Sequence, residues 1–199
     1  GTITLVLSKK PLRSLAFGCF AFVGLQTTFV AFFVIYLTEI GYGLIEAGAV
    51  FSIATAVAIP GRIFWGWLSS WLVQPRVMLG ILALLMFVAA GLTSRFDGSW
   101  STWQVLLVAV LVSASVFSWH GVTLAEAARL APTSMRGTVT GGVLSFGQFG
   151  GLVLPLFYSL ILSLTASYQL GFLACSLPAL IVGVVLSFNN RKVFWSRRN

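Results

Sequence analysis

The chain has 199 residues, 58% of them hydrophobic and 8% charged, with a mean hydropathy of +1.00. Twelve basic and four acidic side chains cannot skin a soluble globule of this size, since soluble domains carry ~25% charged residues. Soluble enzymes, disordered chains, fibres and disulfide scaffolds are excluded, and the net charge of +8, confined to gaps between apolar runs, points to membrane topology rather than nucleic acid.

A helix crosses the ~30 Å hydrocarbon core with ~20 residues. Residues 1–11 are expected to lie outside it, and the first span covers about 12–38. Its uncharged stretch from Ser14 to Thr38 is longer than the ~7–15-residue core of a signal peptide. After a turn at Gly41-Tyr42-Gly43, the second span covers about 44–71 and is expected to break at Pro60-Gly61, because proline removes a backbone donor. Gln74-Pro75-Arg76 is the next turn. The third span covers about 77–94, a polar loop follows at Arg95–Ser99, and the fourth covers about 102–128. Beyond Ala131-Pro132-Thr133-Ser134, residues 137–190 hold no formal charge. They divide near Thr165-Ala166-Ser167 into a fifth span at about 137–163 and a sixth at about 168–188. A basic tail, 189–199, closes the sequence.

Six spans put Lys9, Lys10, Arg13, Arg62, Arg76, Arg129, Arg136, Arg191, Lys192, Arg197 and Arg198 on one side, which is 11 of the 12 basic residues. Arg95 falls on the other side with Glu39, Glu46 and Asp97. The positive-inside rule then places both termini in the cytoplasm. Cys19 and Cys175 lie in apolar runs, without metal-ligand spacing. Neither a metal nor a cofactor is expected.

Polar residues within the spans are the candidates for function. On the first span Gln26 sits near mid-membrane beside Thr27, on a stripe with Phe22, Phe29, Phe33 and Tyr36. It reads either as an interhelical hydrogen bond or as the orienting amide of an aromatic-lined cavity. On the second span Ser52, Thr55, Arg62, Gly66 and Ser69 share a face. Arg62 either snorkels to the cytoplasmic surface or serves substrate and gating. The fourth span carries Ser115, Trp119, Thr123 and Glu126 on one face, with His120, the sole histidine, beside them as a packing residue or a proton-coupling group. Glu126 and Arg129 are expected to pair, and Arg136 joins them as a gating candidate. The fifth span, with Gln148 as its polar cavity candidate, has Gly147, Gly151 and Pro155 spaced to admit a close neighbour. Pro60 is grouped with them. No constellation for catalysis appears.

Gly61-Arg62-Ile63-Phe64-Trp65-Gly66-Trp67-Leu68-Ser69-Ser70 ahead of a basic turn resembles the loop motif between the second and third helices of each half of the major facilitator superfamily. The motif's usual acidic residue falls on Ser70 and its usual glycine near Val73. His120 to Pro132, then Arg136-Gly137-Thr138 and a glycine-rich helix ending in Pro155, is similar to the fourth-to-fifth helix region of that superfamily's C-terminal half. The resemblance runs from Leu12 to Phe188.

It implies an all-α integral membrane fold of six helices in two inverted three-helix repeats, preceded by a remnant of the interdomain linker in 1–11. It also implies a missing N-terminal six-helix half as partner, alongside the lipid bilayer and a small-molecule substrate. The first and fourth spans would line the cavity. The expectation is the C-terminal half of a secondary transporter in a bacterial inner membrane, moving a small organic solute by alternating access. Arg62 favours an anion. Drug or metabolite efflux, and a self-standing channel-like or structural six-helix module, are the other readings.

Overall fold

The structure is a computed structural model and describes residues 2–188, so the basic tail at 189–199 lies outside the described residues. A short helix α1 (Thr2–Ser8) precedes α2 (Lys10–Glu39), α3 (Leu44–Trp71), α4 (Pro75–Thr93), α5 (Thr102–Val116), α6 (His120–Leu130), α7 (Arg136–Thr165) and α8 (Tyr168–Phe188). Six stretches are long and apolar enough to cross a membrane, with α5 and α6 together forming the fourth. The bounds match the sequence reading closely, with two corrections. Span two is one continuous helix through Pro60. Span four, expected to be continuous, is interrupted between Val116 and His120.

Local chemistry explains where the helices start and stop. Pro11 and Pro75 sit in first turns, where no intrahelical donor is lost. Ser101 and Gln104 form a capping box at the start of α5. Gly41 has φ +105, a left-handed value that L side chains rarely adopt, and turns the chain out of α2. Beside that turn, Tyr42 donates to the Trp100 carbonyl at 2.6 Å and Thr102 to Glu46 Oε1 at 2.6 Å, pinning the starts of α3 and α5 together. In the Arg95–Ser101 loop the Asp97 carboxylate accepts from the Ser99 backbone N–H at 2.8 Å and hydroxyl at 2.5 Å, and these bonds hold its pKa below the usual carboxylate range.

Lipid supplies no hydrophobic drive between helices, so contact depends on close fit. The most extensive pairings are α2 with α7 and α4 with α8. Small residues form both: a Cβ on Gly150 would run into the Phe20 carbonyl, and one on Gly24 would come within 2.9 Å of the Gly150 oxygen. On the other pairing a Cβ on Gly80 would lie 2.9 Å from the Ser187 nitrogen. Of the glycines expected to pack, Gly147 faces Val23 and Gly151 faces Thr27 and Val23, but Gly150 makes the backbone-to-backbone approach. α3 and α7 bury the least of their spans, and α7 presents Phe149, Leu152, Leu156 and Leu160 outward.

Gly150→Ala is therefore expected to destabilise the bundle by about 1–3 kcal/mol, the usual cost of overpacking. Gly141, in open space on the same helix, accepts alanine without loss. Thermal unfolding of the detergent-solubilised protein checks the pair, and equal melting temperatures for both variants would contradict the interface.

Candidate functional site

The break in span four has a local cause. In a continuous helix the Phe117 N–H would bond to the Ser113 carbonyl. The Ser118 hydroxyl takes that carbonyl instead, at 2.8 Å. Serine hydroxyls compete with the helix ladder in this way, and the run from Val116 to Gly121 contains β-branched, aromatic and glycine residues of poor helix propensity. The ladder restarts where the Thr123 N–H bonds the Trp119 carbonyl at 3.1 Å.

α3 is laid along this break. Ser113 donates to the Ala54 carbonyl, Ser118 lies 3.3 Å from the Ala58 carbonyl, and Trp65 donates to the Ala114 carbonyl at 2.6 Å. Between them Arg62 Nε donates to the Phe117 carbonyl at 2.9 Å. Positions 54, 58, 62 and 65 fall on one helical face. Gly61 permits the approach, since a Cβ there would lie 2.7 Å from the Ser118 hydroxyl oxygen. Among the described residues the remaining guanidinium nitrogens of Arg62, an exposed residue, have no hydrogen-bond partner.

From the other side α2 meets the same break. Trp119 donates its indole N–H to Gln26 Oε1 at 3.0 Å. The indole is a donor only, so it fixes the amide's orientation and leaves the Gln26 NH2 free on a half-buried residue. Trp119 itself is buried, 5.5 Å from the Phe22 ring, and the His120 ring stacks on it at 4.0 Å. Among the described residues, His120 Nδ1 and Thr123 Oγ1 are buried without a hydrogen-bond partner. The break is thus held by Arg62 of α3 on one side and Gln26 of α2 on the other, a cation and an amide of the kind that suit a small polar or anionic ligand.

The other candidates lie elsewhere. Thr27 donates to the Val23 carbonyl and packs against Gly151. Phe29 is in the core, 4.7 Å from Phe172. Tyr36 is also buried, with its hydroxyl bonded to the Phe96 carbonyl at 2.7 Å. Ser115 donates to the Leu111 carbonyl at 2.8 Å. Gln148 is exposed on α7, and Pro155 lies inside that helix without interrupting it. Glu126 is wholly buried and held by Arg129 through bonds of 2.7 and 2.8 Å. Arg76 reaches from α4 to the Ser14 hydroxyl at 2.9 Å, and Arg136 is exposed at the start of α7. Among the described residues no cluster of His, Cys, Asp and Glu could hold a metal.

A family model described as Major Facilitator Superfamily matches residues 2–155. The chain belongs to that superfamily. Membership places it among transporters rather than enzymes. It is also 35% identical over 126 residues to a protein described as a probable nitrate/nitrite transporter, NarK2, in two strains of Mycobacterium tuberculosis, CDC 1551 / Oshkosh and ATCC 25618 / H37Rv. The match covers 61% of this chain and 30% of the relative, so the chain spans only part of the length of the proteins it resembles.

Sequence reasoning singled out Gln26, Trp119, His120 and Arg62 separately. It missed Phe117 and Ser118, and named Ser113 and Trp65 without the bonds that join α3 to the break. The readable signal was Ser113 and Ser118 opposite Ala54 and Ala58.

In this member of the superfamily Trp119→Phe and Gln26→Leu are expected to be non-additive. A double-mutant cycle in thermal stability should give a coupling of about 0.6 kcal/mol, the average for hydrogen bonds between membrane helices. Strict additivity would show that the bond does not form in the folded protein.

Proposed function

We propose that this chain is the C-terminal six-helix half of a secondary transporter that carries a small anion by alternating access, with Arg62 as the anion-binding cation. The observation that carries the reading is the position of the Arg62 guanidinium. It is anchored through one nitrogen to the carbonyl freed at the helix break, and among the described residues its other nitrogens have no hydrogen-bond partner. A guanidinium offers a planar fork that matches nitrate, nitrite or a carboxylate through paired hydrogen bonds. The description of the mycobacterial relative as a nitrate/nitrite transporter supports an inorganic oxyanion over a large organic solute. In this reading Gln26 adds a second donor and Trp119 a flat wall, while Glu126, Arg129 and Arg76 tie the ends of α6 and α4 at one membrane face.

The half-transporter part rests on the outward face of α3 and on the fraction of the relative that is matched. A second half would close the cavity. The charge partition supports both termini in the cytoplasm, and the mycobacterial relative supports a bacterial inner membrane.

The test is uptake by the complete transporter reconstituted in vesicles, with nitrate, nitrite, formate and acetate as substrates and choline as the cationic control. Arg62→Lys keeps the charge but loses the fork. Apparent anion affinity should fall by about tenfold or more, in line with a lost charge-assisted hydrogen bond of ~1.5–3 kcal/mol. Arg62→Gln should abolish saturable uptake while membrane levels stay near those of the parent. Parental affinity for every anion in Arg62→Lys, or preferential uptake of choline, would overturn the reading.

A further inference from the structure

We propose that the apolar groove between α1, the start of α2 and the middle of α7 binds an anionic phospholipid, with the phosphate on Arg13 and an acyl chain along an aromatic floor. The groove has a volume of about 300 Å³ and is lined by Leu7, Phe17, Phe20, Phe146 and Phe149, with Arg13 among them. A second hollow of about 220 Å³ continues it past Phe146 and Phe149 to Ile3 and Ser145. The floor is built of rings in contact: Phe17 stacks on Phe20 at 6.1 Å, and Phe20 meets Phe149 at 6.1 Å.

Charge and depth select the occupant. Arg13 lies one turn inside the start of α2, where a spanning helix meets the headgroups. Its side chain is exposed and makes no ion pair or hydrogen bond among the described residues. Lys9 and Lys10 are exposed beside it, and no acidic residue lines the groove. The elongated shape, dry aromatic lining and unpaired basic mouth match a lipid carrying a phosphate and a hydrocarbon tail. A small aqueous anion would find nothing to do in the lining.

The groove is separate from the proposed transport site. Phe17 and Gln26 are nine residues apart on one continuous helix, about 180° at ~100° per residue. A lipid seated there bridges α1, α2 and α7, the helices whose glycine contact holds the bundle together, from the side away from substrate.

Photocapture from a defined bilayer tests this. The complete transporter, with Phe17 replaced by p-benzoylphenylalanine, is reconstituted in vesicles of equal phosphatidylglycerol and phosphatidylcholine. A second version carries the photoreactive residue at Ile181, exposed on α8. Phe17 should capture phosphatidylglycerol over phosphatidylcholine by about fivefold, the preference expected of one basic side chain near an anionic surface. Arg13→Gln should return the ratio to that of the bilayer, Arg13→Lys should keep most of the preference, and Ile181 should capture both lipids in bulk proportion. The proposal fails if Phe17 and Ile181 give the same ratio, if the preference survives Arg13→Gln, or if Phe17 links to the transporter's own chain instead of lipid.

Discussion

A guanidinium inside a membrane-spanning bundle must be met by oxygen, and here the partner is a main-chain carbonyl released by a break in the neighbouring helix. The two features depend on each other. Without the break, the Phe117 carbonyl would accept the Gly121 N–H and Arg62 would have nothing to hold. Without Arg62, the Phe117 carbonyl would lose a charged donor in a medium that offers no water. Ser113 of α5 and Ser118 carry the same trade along α3, where Ala54 and Ala58 present carbonyls to hydroxyls. Irregular backbone at membrane depth is tolerated where it lines a cavity or is covered by protein, and this break is covered by α3 on one side and by Gln26 of α2 on the other.

The rest of the bundle holds those three helices in place. α2 is the axis. It meets α7 through glycine on backbone, meets α8 through aromatic rings, and offers Gln26 to the break. The Arg62 contact joins α3 to the break between α5 and α6. In the proposed transporter, an anion that draws Arg62 toward itself changes the balance of the bond to Phe117. Substrate and helix geometry then act on the same guanidinium.

Much of the architecture was legible in the sequence because bilayers impose simple rules. Span lengths and the turn at Gly41 follow from hydrocarbon thickness and backbone sterics, and the helices fall within a few residues of expectation. The break in span four was not legible. Hydropathy is blind to it, since Val116, Phe117 and Trp119 are as apolar as their neighbours, and only the backbone competition from Ser113 and Ser118 signals it. Proline misled in the opposite sense. Pro60 stops one hydrogen bond without ending α3, while a helix with no proline is the one that breaks. Side-chain faces drawn from an ideal period put Gln26 and Trp119 on separate polar stripes, and a hydrogen bond joins the two. The same method put Phe29 and Tyr36 on the cavity stripe, although tertiary packing buries them against Phe172 and Phe96.

The claim that joins these parts is that the free face of Arg62 at the helix break receives the transported anion. A structure of the complete transporter with nitrate bound tests it most directly. The account predicts nitrate oxygens within ~2.7–3.2 Å of the guanidinium nitrogens not bonded to Phe117, with the Gln26 amide nitrogen facing the same ion. Nitrate ordered elsewhere in the cavity, with Arg62 contacting only Phe117 and lipid headgroups, would contradict it.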